Sequence, residues 1–337
     1  MATLKRNDPC LCGSGKKYKK CCLVKLQAKP RFDEKDQLAF NELLPRVFDY
    51  SKKFDQQLQP VYERYVQSLE RLPKADAQAF SQLIFHWMLF NYPMVDGNET
   101  ILSDYVKKQG SSYSEKFQQF LQEWLALEPK LFHVTSSDDK NMAIYDVFQE
   151  TSLTLEKTPA SANLTEGDRL IGYLYPTPTG HSLGNDAIGI PQKLEQSFLT
   201  HLNEMKSLSE TKTNEQEWFT SHFHEALDVL SLLTISGKEL QAEERLNDSS
   251  KQVLNLLKEK LDWSVFTFDR FLKAKVTWIA YTKEHSPRIQ KPEAFSAALE
   301  YWIGKQTEGS GGLSQKTVSE KYSVSPGTVS SKYKSIR

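Results

Sequence analysis

LFHVT at 131–135, MAIYDVF at 142–148, TSLTLE at 151–156, RLIGYLYP at 169–176 and GHSLGNDAIGI at 180–190 are short runs rich in β-branched and aromatic residues. Between them stand SSDDKN, the PASANLTEGD loop and PTPTG, which hold the residue types that turns require. Five such runs predict a small β-barrel of the SH3-like or OB-like kind over residues 131–191. The aromatic residues Phe132, Tyr145, Phe148, Tyr173 and Tyr175 fall inside this region, where barrel packing accounts for them more simply than stacking on nucleic-acid bases.

On either side of this island the apolar period lengthens to that of a helix. Upstream, over 31–130, the segments AQAFSQLIFHWMLF (77–90) and YSEKFQQFLQEWLAL (113–127) place Phe117, Phe120, Leu121, Trp124 and Leu125 on one face. Pro45 and Pro60 suit helix starts or kinks better than helix interiors. Downstream, over 192–308, Phe219, Phe223, Ala226, Leu227, Leu230 and Leu233 form one stripe; Phe268, Leu272, Val276 and Ile279 form another. Both stripes read as core. Gly309-Ser310-Gly311-Gly312 reads as a linker, and 313–337 as a separate terminal module. The expected architecture is therefore a mainly α multidomain protein with a small β-barrel insert, an N-terminal zinc knuckle over 1–30 and a C-terminal helix-turn-helix.

Charge is distributed unevenly. The 337 residues sum to a formal net charge of zero, yet residues 1–30 hold eight Lys and Arg against the single acid Asp8. Residues 314–337 hold five basic residues against Glu320. Two basic ends around an acidic body point to a polyanion or an acidic partner surface, although solvated lysines without any partner are the better account of any single charge run. The longest apolar stretch, LIFHWMLF at 83–90, is far short of the roughly 20 residues a spanning helix needs. No apolar signal region follows the N-terminus, and the expected location is the cytoplasm.

All four cysteines, Cys10, Cys12, Cys21 and Cys22, lie within RNDPCLCGSGKKYKKCC. A local cluster in a reducing compartment argues for metal rather than disulfides. In an extended chain Cys10 and Cys12 project to one side. Gly13 and Gly15 permit a reversal, and Ser14 can cap a helical turn through Lys16, Lys17, Lys19 and Lys20 that returns Cys21 and Cys22 to the same point. Four thiolates suit a closed, tetrahedral, structural zinc site with no open position for a reacting water. A segment this short has no core, so metal binding worth roughly 10–16 kcal/mol would serve as its folding energy. The nearby lysines favour the ionised thiols.

This segment resembles the SEC-C motif family of SecA C-terminal-like zinc-binding segments, whose pattern is C-x-C, eight residues, then C-C or C-H. Cys10, Cys12, Cys21 and Cys22 match the ligand positions; Asn7-Asp8-Pro9 and Gly13 through Lys20 match the flanks. Leu11 departs from the pattern, since proline is usual there, but it touches no ligand. The resemblance implies zinc binding and a contact surface for proteins or ribosomes, with Lys16, Lys17, Lys19 and Lys20 facing the partner. It covers a small part of the chain and predicts the metal better than the role.

SQKTVSEKYSVSPGTVSSKYKSI at 314–336 resembles a helix-turn-helix pair. Val318 and Tyr322 share a face, Val324 sits in the turn, Ser325 caps the second helix and Pro326 takes its first position. Val329, Tyr333 and Ile336 form its buried stripe. Helix 292–305 is the candidate third member. On DNA, Thr328, Ser331, Lys332 and Ser335 would face the groove, a set poor in side chains that read bases bidentately; Lys332, Lys334 and Arg337 would reach phosphates. A helical hairpin for protein contact is the plain alternative.

The remaining polar residues carry no recognisable catalytic pattern. His222 and His224 are two apart and do not share a helical face. His86 in an apolar helix reads as a core histidine, His181 as a turn residue, and Asp138-Asp139 as a hairpin turn. Gly309–Gly312 lacks the Gly-Lys-Ser/Thr of a phosphate loop. The expected function is a non-enzymatic zinc-binding adaptor that docks on the ribosome, an acidic protein or a nucleic acid. A DNA-binding regulator acting through 314–336 is the second reading, and an enzyme centred on the β region the third.

Overall fold

The computed structural model describes residues 17, 20, 32–209, 213–306 and 313–337. Its helices in chain order are α1 (Glu34–Ser51), α2 (Asp55–Val66), α3 (Lys74–Phe90), α4 (Ile101–Gln109), α5 (Glu115–Leu125), α6 (Gln192–Leu208) and α7 (Glu215–Ser221). They continue with α8 (Phe223–Gln241), α9 (Asp248–Lys260), α10 (Phe268–His285), α11 (Pro292–Gln306), α12 (Gln315–Lys321) and α13 (Pro326–Ile336). The strands are β1 (Lys130–Ser137), β2 (Asn141–Asp146), β3 (Thr151–Glu156), β4 (Arg169–Gly172), β5 (Leu174–Thr177), β6 (Gly180–Leu183) and β7 (Ile188–Ile190). None of these helices is long and apolar enough to cross a membrane.

The chain divides into two compact units. The first holds residues up to 67, 78–191 and 214–221; the second holds 68–77, 192–213 and 222–337. In the first, α1, α4 and α5 begin at Asp33, Thr100 and Ser114, whose side-chain oxygens accept the N–H of Asp36, Ser103 and Phe117. Each such cap is worth about 1 kcal/mol. α5 buries Phe117, Phe120, Leu121 and Trp124 as its spacing predicts, while Leu125 is exposed. Pro45 and Pro60 lie inside α1 and α2, contrary to expectation.

The β region is not a closed barrel, which corrects the reading of residues 131–191. β3, β2, β1, β4 and β7 form, in that order, one antiparallel sheet, and β5 and β6 form a separate hairpin. Closure would require the outer strands β3 and β7 to pair. Instead the run RLIGYLYP is broken at Tyr173: β4 leaves the sheet at Gly172, where a Cβ would meet the Ala187 backbone at 2.9 Å. The chain then turns into the hairpin rather than continuing the sheet. In β1 the register places Phe132 opposite Asp146 and Val134 opposite Ile144, with a bulge before Ser136. Phe132, Val134, Met142, Ile144, Leu155, Leu170 and Leu183 pack together, so the hairpin covers one face of the sheet without joining it.

His86 of α3 is buried at 3% exposure and is fully engaged. Its Nδ1 lies 2.6 Å from Asp186 Oδ2, and the Tyr175 hydroxyl donates to the same oxygen at 2.7 Å. Phe48 stacks on the imidazole at 5.4 Å between centroids. The turn that presents Asp186 requires glycine at 184, because a Cβ there would stand 2.0 Å from Asp186 Oδ1. Close by in the sequence, the Tyr173 hydroxyl donates to Asn91 Oδ1 at 2.6 Å. One base and one phenol thus share a single carboxylate oxygen in the core, and the second oxygen, Asp186 Oδ1, is buried with no donor among the described residues.

The second unit is helical. α8 packs on α6 and α10, with Leu227, Leu230 and Leu233 buried. Non-helical angles at Ser236 kink α8 just before Gly237, which lies close against Leu194. α11 lies against α9, α10 and the C-terminal helices.

Candidate functional site

The four cysteines and Lys16 and Lys19 lie outside the described residues. Lys17 and Lys20 are exposed, and the Lys20 N–H donates to the Lys17 carbonyl at 2.8 Å. The donor set itself is informative. Four thiols in so short a segment fit a closed structural ion, and Cys10, Cys12, Cys21 and Cys22 are the residues that would hold it. Among the described residues no group of three or more His, Cys, Asp or Glu side chains is arranged to hold a metal.

The C-terminal module is two helices joined by a tight turn. α12 starts at Ser314, whose hydroxyl accepts the Thr317 N–H at 3.0 Å. Ser323 in the turn takes a left-handed conformation, φ +54°, which lets Val324 point inward beside Val318, Tyr322 and Val329. Ser325 then caps α13 by accepting the Thr328 N–H at 3.1 Å, and Pro326 fills the position that needs no N–H. Helix α11 supplies Ala297 and Tyr301 to the same core and is the third member that the sequence proposed.

Polar contacts fasten the module as well. Glu300 of α11 is 1% exposed, and its carboxylate accepts from Lys321 Nζ and from the Tyr322 hydroxyl, each at 2.6 Å. Burial, with Glu300 next to it, pushes the Tyr322 hydroxyl well above the ordinary phenol range. Lys260 of α9 reaches the Lys321 carbonyl at 2.9 Å.

These contacts alter which side chains α13 offers. Lys332 lies with its ammonium 4.4 Å from the Phe295 ring centroid, a cation–π contact. The Thr328 hydroxyl is 2.8 Å from that of Ser325. Ser331, Lys334, Ser335 and Arg337 stay exposed. The outward face of α13 therefore offers two cations and two hydroxyls.

A site that the sequence did not reveal lies in the first turns of α8 and α10. Glu225 and Asp228 of α8 share it with Asp269 of α10. Asp228 pairs with the Ser68 hydroxyl, and the Phe268 N–H donates to Glu225 at 3.4 Å. Burial, then the charge of Asp269, raises the Asp228 carboxyl to about 8. The same two causes raise Glu225 to about 7. Burial alone would raise Asp269 too, but Lys273 at 2.8 Å and the Thr267 hydroxyl outweigh it and lower its pKa. His224 is depressed to about 4, chiefly by burial. Near neutral pH one carboxylate is charged and its two neighbours tend to hold protons. The signal was invisible in sequence because Glu225 and Asp269 stand far apart along the chain.

A family model described as "SEC-C motif" matches residues 6–23. The full chain is also similar to "Uncharacterized protein YccF" of Bacillus subtilis (strain 168), at 26% identity over an alignment of 357 positions that covers 100% of this chain and 95% of the relative. No solved structure matches. The likeness thus takes in the cysteine segment, the sheet and the C-terminal module together, and the N-terminal segment of this protein matches the SEC-C motif.

Proposed function

We propose that the protein is a zinc-binding, non-enzymatic adaptor of the cytoplasm that docks through its SEC-C knuckle. The observation that carries this reading is the matched segment at 6–23, with four cysteines at ligand spacing among basic flanks. Cys10, Cys12, Cys21 and Cys22 hold the ion, which supplies the folding energy of the knuckle; Lys16, Lys17, Lys19 and Lys20 then present a positive surface to the ribosome, an acidic protein or a nucleic acid. In the C21S/C22S double variant the zinc measured by atomic absorption should fall below stoichiometric. Ribosomal RNA or protein that copurifies with the wild type should disappear with it. Unchanged copurification would sink the adaptor reading.

The C-terminal module supports a second reading, DNA binding by a helix-turn-helix. The capped α13 with its exposed Lys334 and Arg337 favours it. With Lys332 drawn onto Phe295, contact would be mostly to phosphates, giving weak sequence preference and steep salt dependence. Duplex binding that survives replacement of Lys334 and Arg337 by alanine, with an unchanged salt slope, would rule it out.

A further inference from the structure

The first unit contains a groove of about 460 Å³ lined by the sheet and the β5–β6 hairpin. Part of its lining is apolar, formed by Phe132, Ile144, Leu153, Leu174 and Pro176. The rest is acidic, formed by Glu123, Glu128 and Asp146, with Lys130 held 2.5 Å from Asp146. A second hollow shares Glu128 and Gln149 with the first and adds Glu215 and Glu217. The two together make an apolar trough with an acidic end.

Two further observations bear on what fits there. β3 contributes Thr151, Ser152 and Leu153 to the groove, and it is an edge strand, paired with β2 alone among the described residues. Thr151, Ser152, Thr154 and Glu156 are exposed, so the outer backbone edge is open to another strand. Gln216, at the acidic end, is 8% exposed. Its Nε2 donates to the Pro129 carbonyl at 3.0 Å and to Thr220 Oγ1 at 3.1 Å. The Pro129 carbonyl can only accept, which fixes the orientation of the amide and leaves Oε1 buried with no donor among the described residues.

We propose that this groove takes an extended, lysine- or arginine-bearing peptide segment of a partner protein, which adds to β3 as a further strand and directs its basic side chains to Glu128 and Glu217. Strand addition supplies main-chain hydrogen bonds, and the alternation of side chains lets apolar residues lie against the half-buried Leu153 and Leu174. A cation is the complement of Glu128 and Glu217. Burial raises the Glu128 carboxyl, and Glu217 and Asp146 add to the effect against Lys130, so an arriving positive charge relieves a strained arrangement. A nucleic-acid strand would meet repulsion there. The inference rests on the adaptor reading for its biological sense, since it names the second partner, but it does not need the knuckle.

The test is fluorescence anisotropy on the full chain with a labelled, acetylated Val-Lys-Val-Lys-Val-Lys peptide. Binding should weaken at least tenfold in E128Q/E217Q, and at least tenfold when alternate peptide amides are N-methylated. The Val-Glu counterpart should not bind. E239Q/E284Q removes the same charge outside the groove and should leave affinity unchanged. Equal binding by E128Q/E217Q, equal binding of the N-methylated peptide, or equal loss in E239Q/E284Q would each overturn the proposal. A tenfold gain on deleting residues 1–30 would assign the groove to the chain's own basic segment and overturn it as well. C21S/C22S should bind the peptide as the wild type does, so failure of the knuckle reading and failure of this one are told apart.

Discussion

Each unit of the protein contains a buried polar cluster, and the two are built on opposite principles. Around His86 in the first unit, one carboxylate oxygen of Asp186 serves an imidazole and a phenol, while its other oxygen is buried with no donor among the described residues. At the start of α8 and α10 in the second, Glu225, Asp228 and Asp269 crowd three acids around Ser68, Thr267 and Lys273. The first cluster sets a single acid between two groups that can donate to it. The second reduces its like-charge repulsion by holding protons, and thereby ties stability to pH.

The largest test of this contrast is Asp186→Ala. It leaves His86 and Tyr175 buried without their common acceptor and should cost about 3–5 kcal/mol in urea denaturation. A loss under 1 kcal/mol would show that Asp186 is not what holds the imidazole and the phenol in place. Glu300→Gln comes next. It keeps a partner for Tyr322 but removes the charge opposite Lys321, and should cost about 1–3 kcal/mol, read as faster amide exchange in α12 and α13.

The pH dependence of the acidic cluster is smaller and has a definite sign. Asp228 and Glu225 have folded-state pKa values above the ordinary 3.8 and 4.5, so the folded protein holds protons that the unfolded chain has released. Their stabilising contribution is complete at low pH and is lost as pH rises to about 8 for Asp228 and about 7 for Glu225. His224, depressed below 6.5, acts in the opposite sense, but only under acid conditions. From neutral pH to about 8 the carboxylates act alone, and stability should fall by about 1 kcal/mol per pH unit. Asp228→Asn should flatten that slope in melts recorded across the interval; a wild type with no slope there would refute the proton count. The smallest effect expected is from Ser325→Ala, about 1 kcal/mol, because it removes only the cap of α13.

Local features of the fold were legible in the sequence, and long-range ones were not. The helices at 74–90 and 115–125 and the cap at Ser325 follow from periodicity and short-range hydrogen bonds. The strand runs were also recognisable. Their failure to close was not, because it depends on Gly172 meeting Ala187 and on the chain leaving the sheet at Tyr173. His86 was readable as a core histidine, but its partner Asp186 is 100 residues away. The α8–α10 acids were hidden for the same reason. On α13 the stripe Val329, Tyr333 and Ile336 was read as buried; Val329 and Ile336 are, and Tyr333 is half-buried, while the contact of Lys332 with Phe295 could come only from the third helix.

Mechanically, the Glu300–Lys321–Tyr322 lock defines a load path. Tension applied to α13 by a bound partner passes through the packed side chains into α11, and through Lys260 into α9, without having to travel along the backbone between α11 and α12. The C-terminal module is bolted to α11 and α9 rather than tethered to them, so a pull on it is shared by both helices.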